Sequence, residues 1–300
     1  MDLIIQQIIN GLMLGCNYTL IAMGFSLFFG ALNVVHFSHG DVCILGSFIL
    51  LLLYALGKVV GFFSAVPPLI SIPLLILAAA LLTGIFGIVF EKLVIKPFRN
   101  APELMVLVAT VALGIVIRET IRIFYPQGSN PQIFPTILYD EGFDLGSLWI
   151  RYDSMIILAA TVSLIVAVFW FVQKTRTGSA IRAISQDLEA AMMMGISINA
   201  TVAVTFCLGA VLGAVAGILN GAYIGLIRFD MGLMGGIKGF SAAVVGGLGN
   251  IYGAILGGLV LGFVETFASA LIPGGTAYKD VFAFLVVIFF LVFKPSGIVG

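Results

Sequence analysis

Residues Thr201–Ile227 read TVAVTFCLGAVLGAVAGILNGAYIGLI and carry no Asp, Glu, Lys, Arg or His. At about 1.5 Å per helical residue, such a run can cross the roughly 30 Å hydrocarbon core of a bilayer. Gly209, Gly213, Gly217, Gly221 and Gly225 recur in it at every fourth position. On a helix these glycines form one shallow groove where a neighbouring backbone can approach closely. This stretch sets the fold class, and the rest of the chain repeats its character.

The 300 residues are 61% hydrophobic and 9% charged. Soluble domains carry about 25% charged residues, so a water-soluble fold is excluded. A membrane β-barrel would alternate apolar and polar residues in segments of about ten, whereas these apolar runs are continuous. The sequence predicts an all-α, polytopic transmembrane helical bundle in one permease-like domain over 1–300. Its spans fall at about 4–29, 42–57, 69–90, 104–124, 154–172, 201–227, 251–271 and 278–293. Residues 231–249, rich in glycine and bearing Lys238, read as a broken or re-entrant segment, which gives eight or nine in all. The N-terminus lacks the basic region and cleavage site of a signal peptide and reads as the start of the first span. A net charge of zero offers no basic face for nucleic acid. Cys16, Cys43 and Cys207 sit in apolar runs without metal or redox spacing and read as core residues.

Upstream of the glycine run lies Lys174–Ala200, KTRTGSAIRAISQDLEAAMMMGISINA, a polar interval between two spans. Ile181, Ile184, Leu188, Ala191 and Gly195 recur at helical steps and predict one apolar stripe. Ser179 and Asp187 are candidate N-caps, and Gly195 suits a helix C-terminus. A helix–turn–helix with one apolar side is built to dock onto a partner. This loop and Glu91–Glu103 each carry three Lys or Arg, which places both on the cytoplasmic side. The acidic loop Tyr125–Asp153 then faces outward.

Three constellations could carry chemistry. The first is His36, His39 and Asp41. They read as a metal site or proton relay, as a helix break with Asp41 capping the second span, or as polar groups lining a solute pathway. The pathway reading is adopted, because discontinuous helices at membrane depth serve this purpose. Asn33, His36, His39 and Asp41 would line one part of it, and Lys238 and Ser241 another. The second is Gly239–Ala242, GFSA, which has the form of an intramembrane serine hydrolase; the simpler reading of Ser241 is a small packing residue. The third is Glu265, a lone carboxylate in an apolar span. It needs a partner or water, and Arg118, Arg122 and Lys279 are candidate partners, with a coupling-ion role as the alternative. No GxxxxGK[ST] loop is present, so any ATP must be bound by another chain.

The stretch Gly178–Ile196, GSAIRAISQDLEAAMMMGI, resembles the cytoplasmic coupling loop of ABC importer permeases. Phe29–Gly40 (FGALNVVHFSHG), Gly236–Gly247 (GIKGFSAAVVGG) and Lys294–Gly300 (KPSGIVG) are similar to the branched-chain amino acid permease family. Within it the chain looks most like the smaller of the two permeases of the high-affinity leucine/isoleucine/valine importer. At 36–39, His-Phe-Ser-His stands where the family more often has Asn-Phe-Ala-His. The resemblance implies an ATP-driven importer subunit in a bacterial inner membrane, without enzymatic activity or cofactor of its own. Its partners would be a second homologous permease, two cytoplasmic ATPase subunits that bind ATP, and an external solute-binding protein. It assigns Gly178, Arg182, Ala183, Asp187, Glu189, Ala190 and Gly195 to ATPase coupling. The family also carries other amino acids, urea and short amides. An ion-coupled secondary transporter using Asp41 and Glu265 is the main rival reading.

Overall fold

A backbone taken out of water must bond to itself, so each long apolar run becomes a helix. The computed structural model describes residues 2–99, 101–135, 142–145, 148–272 and 274–299. Asp140 and Glu141 of the acidic loop lie outside the described residues. The helices in chain order are α1 (Asp2–Leu32), α2 (His39–Val60), α3 (Phe62–Ala65), α4 (Pro68–Phe90), α5 (Lys96–Phe98), α6 (Glu103–Phe124), α7 (Tyr152–Lys174), α8 (Arg176–Gln186), α9 (Leu188–Met193), α10 (Ile198–Ile224), α11 (Met231–Gly246), α12 (Ile251–Leu271) and α13 (Lys279–Phe293). Two antiparallel strand pairs lie between them. β1 (Gln132–Ile133) pairs with β4 (Leu226–Ile227), and β2 (Gly142–Leu145) pairs with β3 (Leu148–Arg151). Among the described residues, eight helices are long and apolar enough to cross a membrane.

Two segments depart from the sequence reading. Residues 231–249 contain one unbroken helix, α11, rather than a broken one. Its 16 residues reach only about 24 Å, short of a roughly 30 Å core. The basic interval after α4 is not a loop at its start. A π-helical turn, Glu91–Ile95, carries α4 directly into α5. Arg99 returns to the buried Glu91, with Nη2 and Oε1 2.7 Å apart, and this pair fastens the extra turn.

The chain divides into two compact units: Met1–Asn33, Leu138–Thr201 and Ile237–Gly300 form one, and Val34–Ile137 and Val202–Gly236 the other. In the first unit α1 crosses α12 in antiparallel fashion through two glycine pairs four residues apart. Gly258 faces Thr19, Gly262 faces Gly15, and Gly11 faces Phe263. Thr19 Oγ1 also donates to the Ile255 carbonyl at 3.2 Å. The residues Lys294–Val299 fold back onto the end of α11. Ile298 and Val299 N–H groups donate to the Val245 and Gly246 carbonyls at 2.9 and 3.1 Å, satisfying acceptors that a helix end leaves open.

In the second unit the glycine groove of α10 receives α2. A Cβ at Gly213 would lie 2.9 Å from His39 Cε1, and one at Gly217 would lie 2.7 Å from Ser47 Oγ. Gly221 faces Phe134 and Ile227, and Gly209 is buried. Gly225 is not part of the groove. The helix has ended at Ile224, and Gly225 turns the chain with φ +77°.

A methyl group at position 258 would stand within 2.6 Å of Thr19 N, Oγ1 and Cα, whereas nothing lies within 4 Å of one at 235. Gly258→Ala is therefore expected to destabilise the protein by about 1–3 kcal/mol, in the range of overpacked cores, while Gly235→Ala does not. Thermal inactivation of the two purified variants in detergent, run side by side, checks this.

Candidate functional site

The first polar cluster belongs to the unit built on α2, α6 and α10. α1 ends at Leu32; the next residue, Asn33, is exposed and in the left-handed region with φ +54°, and residues 34–38 lead into α2. Asn33 therefore serves as a helix terminator. The N-cap of α2 is Ser38, without a side-chain cap bond. The capping role expected of Asp41 is not observed. Asp41 lies in the first turn and its carboxylate faces α6, where Arg118 Nε stands 3.1 Å from Oδ1. That Nε–H is directed at the Gly114 carbonyl at 3.4 Å, so the pair is coulombic rather than hydrogen-bonded. Gly114 leaves the room that the carboxylate occupies. His36 contacts Ser38 Oγ through Nε2 at 3.2 Å and packs edge-on against Phe206. His36 and His39 are both buried. Among the described residues, no group of three or more His, Cys, Asp or Glu is placed to hold a metal ion.

The second cluster lies in the other unit and was only half legible. Lys238 of α11 donates to Glu265 Oε1 of α12 at 2.7 Å. Tyr18 of α1 donates its hydroxyl to Glu265 Oε2, also at 2.7 Å. Lys238 Nζ also lies 2.6 Å from Asp280 Oδ1 of α13. Glu265 and Lys238 are buried, and Asp280 is 41% exposed at its side chain. The partners expected for Glu265 are thus corrected: it pairs with Lys238, not with Arg118, Arg122 or Lys279. Arg118 is committed to Asp41, and Arg122 to Glu119 in the next helical turn at 2.5 Å. Tyr18 and Asp280 were missed. The available signal was a lone lysine and a lone glutamate in neighbouring apolar helices, since an uncompensated charge there costs about 2.5–3.5 kcal/mol. Ser241 is buried one turn beyond Lys238 on α11.

The interval 174–200 forms an elbow. Thr175, not Ser179, is the N-cap of α8. Its Oγ1 accepts from Gly178 N at 3.0 Å and donates to the Phe171 carbonyl at 2.7 Å. Asp187 caps α9, accepting from Glu189 N and Ala190 N at 2.9 Å each. Gly178 lies against the Phe171 and Val172 carbonyls, with no room for a side chain. Arg182 reaches back to donate to the Val172 carbonyl and to Gln173 Oε1 at 3.2 Å. A guanidinium at the open carbonyls of a helix C-terminus also complements its dipole. Ala183 is partly buried. Gly195 follows α9 with φ +80° and nothing within 4 Å of a would-be Cβ.

The apolar stripe is divided: part of it is buried, while Leu188 and Gly195 stay exposed. Ile181, Ile184 and Ala191 are buried, and α8 packs on α1 and α7. What the elbow exposes is Leu188, Met192, Met193 and Met194, the last two at 88% and 83%, with Glu189 and Ala190 beside them. The spacing is helical as expected, but Ile181, Ile184 and Ala191 of its apolar side are used inside the chain.

Residues 7–291 match the family model of the permease component of branched-chain amino acid transport systems. The chain belongs to this permease family. It is similar to the high-affinity branched-chain amino acid transport system permease protein BraD of Pseudomonas aeruginosa, at 35% identity covering 99% of this chain and 95% of that one. The permease protein LivH of Escherichia coli K12 is 32% identical over 99% and 95%. A probable branched-chain amino acid transport permease protein LivH of Methanocaldococcus jannaschii is 28% identical over 100% and 94%. A multi-pass membrane permease thus accounts for the eight long apolar helices.

Burial pulls the His36 pKa down to about 3 from its usual 6.5, and the nearby His39 adds to the effect. The unfolded chain therefore takes up this proton first as pH falls. The stabilisation from His36 is complete above about pH 6.5 and is lost between there and about 3. His36→Asn is expected to flatten the fall in melting temperature between pH 7 and pH 5. An unchanged pH dependence would refute the role given to this residue.

Proposed function

We propose that this chain is the membrane permease subunit of an ATP-driven importer for branched-chain amino acids in a bacterial inner membrane. It pairs with a second homologous permease, two cytoplasmic ATPase subunits bind the pair, and an external binding protein delivers the solute. The chain itself performs no reaction. The family membership supports the solute class, and one structural observation carries the coupling role. The 174–200 elbow is fastened to its own spans on one side and presents a bare, flexible methionine face on the other. Methionine side chains adapt to an apolar groove without a fixed shape, which suits a surface that must stay engaged while its partner moves.

The two ends of the elbow differ in stiffness. Upstream, Arg182, Thr175 and Gly178 lock α8 onto the last turn of α7. Downstream, Gly195 permits a change of direction between α9 and α10. A displacement of the elbow by the ATPase would therefore travel as a rigid body into α7 and α1. The pairing of Asp41 with Arg118 and of Glu265 with Lys238 favours this scheme over an ion-coupled carrier. Glu265 in particular has both oxygens engaged, by Lys238 and Tyr18, and is not left to an incoming cation.

Met193→Asp is expected to lower ATP-dependent leucine uptake by reconstituted complex at least tenfold and to weaken co-purification of the ATPase. Arg182→Gln and Gly195→Val are expected to leave ATP hydrolysis running while uptake falls. Wild-type uptake that follows a proton or sodium gradient in place of ATP would refute the scheme, as would unchanged transport in all three variants.

A further inference from the structure

Lys238 is held by one aligned hydrogen bond, although an ammonium group has three donors. That bond goes to Glu265 Oε1, and Glu265 is fixed on its other oxygen by Tyr18. The second carboxylate near Lys238 is different in kind. Asp280 Oδ1 lies 2.6 Å from Nζ but out of hydrogen-bond alignment, and this buried oxygen has no hydrogen-bond partner among the described residues. So a lysine side chain 8% exposed and a carboxylate 41% exposed face one another with unspent donors and an unspent acceptor. The nearby Tyr18 ring, with its centroid 5.8 Å from Nζ, supplies a further weak attraction to the cation. One lysine shared by two carboxylates also leaves the group with a formal charge of minus one.

The position is also informative. Tyr252, near the start of α12, packs against Phe169 near the end of α7, at the elbow end of the unit. Glu265 lies fourteen residues into α12, about 21 Å from its start at a helical rise of 1.5 Å per residue. Asp280 lies in the first turn of α13. The cluster therefore sits toward the end of this unit away from the elbow, where the solute arrives if the elbow is cytoplasmic.

We propose that Lys238 and Asp280 form a station for the zwitterionic head of the amino acid. The solute's α-carboxylate accepts from the remaining Lys238 donors and its α-ammonium donates to Asp280, so that the misaligned pair is exchanged for two aligned charge-assisted bonds. Glu265 and Tyr18 are positioning residues that hold Lys238 in place when Asp280 turns to the solute. This inference rests on the proposed solute class and adds a site for it.

The test uses the full complex in proteoliposomes with leucine-loaded binding protein. Asp280→Asn is expected to reduce leucine uptake about tenfold or more while binding-protein-stimulated ATP hydrolysis persists, and Asp280→Glu is expected to restore uptake. Asp280→Cys is expected to react with a charged methanethiosulfonate reagent from outside, at a rate slowed several-fold by leucine-loaded binding protein relative to the unloaded protein. A simple clamp between helices would behave otherwise. Uptake and hydrolysis would then fall together in proportion to assembled complex, and leucine would give no protection; either result overturns the proposal, as does full uptake by Asp280→Asn. Failure of the wild-type complex to take up any branched-chain amino acid would instead refute the function on which this site rests.

Discussion

Direct backbone contact at glycine holds each unit of this permease together. Lipid tails are as apolar as leucine, so helices in a membrane gain little from hiding greasy side chains from their surroundings. They gain from close packing, and that requires small residues where axes cross. In one unit Gly15, Gly258 and Gly262 bring α1 onto α12. In the other, Gly213 and Gly217 admit α2 against α10, while Gly84 and Gly87 on α4 approach α10 near Cys207 and Ala210. At Gly258, Gly262, Gly217 and Gly87 a methyl group would meet backbone at 2.1–2.7 Å, so these positions hold the register between their helices. Asp41 on α2 and Glu265 on α12 are carried on helices whose spacing is set in this way.

Charge then selects which faces meet. A lone carboxylate or ammonium at membrane depth must find an opposite charge or water. Asp41 meets Arg118 and Glu265 meets Lys238, one pair in each unit. The pairs differ in quality. Glu265 is saturated by a lysine and a tyrosine, whereas the contacts of Asp41 with Arg118 and of Asp280 with Lys238 are close but misaligned. A saturated pair suits a fixed counter-ion, and a misaligned one suits exchange with a passing solute.

The elbow shows the same economy in water. Its helices are too short to stand alone, since isolated helices below about 12–15 residues are marginal. They are held by caps at Thr175 and Asp187, by the Arg182 strap and by burial of Ile181, Ile184 and Ala191. Ile181, Ile184 and Ala191 are consumed in anchoring the elbow, which leaves Leu188 and the exposed methionines for a partner.

Composition and run length alone determined the helical membrane fold, because the cost of an unpaired backbone group in lipid admits few alternatives. The cap at Asp187 and the turn at Gly195 were legible for a similar reason, since each is set by neighbours within a few residues. The glycine spacing of α10 showed a groove, but not that it ends at Ile224 or that α2 fills it. The equally regular Gly11/Gly15 and Gly258/Gly262 pairs went unread, because a four-residue spacing names a face without naming its partner. Tertiary structure alone decided that Glu265 takes Lys238 and Tyr18, and that Ile181, Ile184 and Ala191 of the elbow's stripe face inward. Those outcomes depend on which helices are neighbours and at what depth their charges lie, and local spacing carries neither.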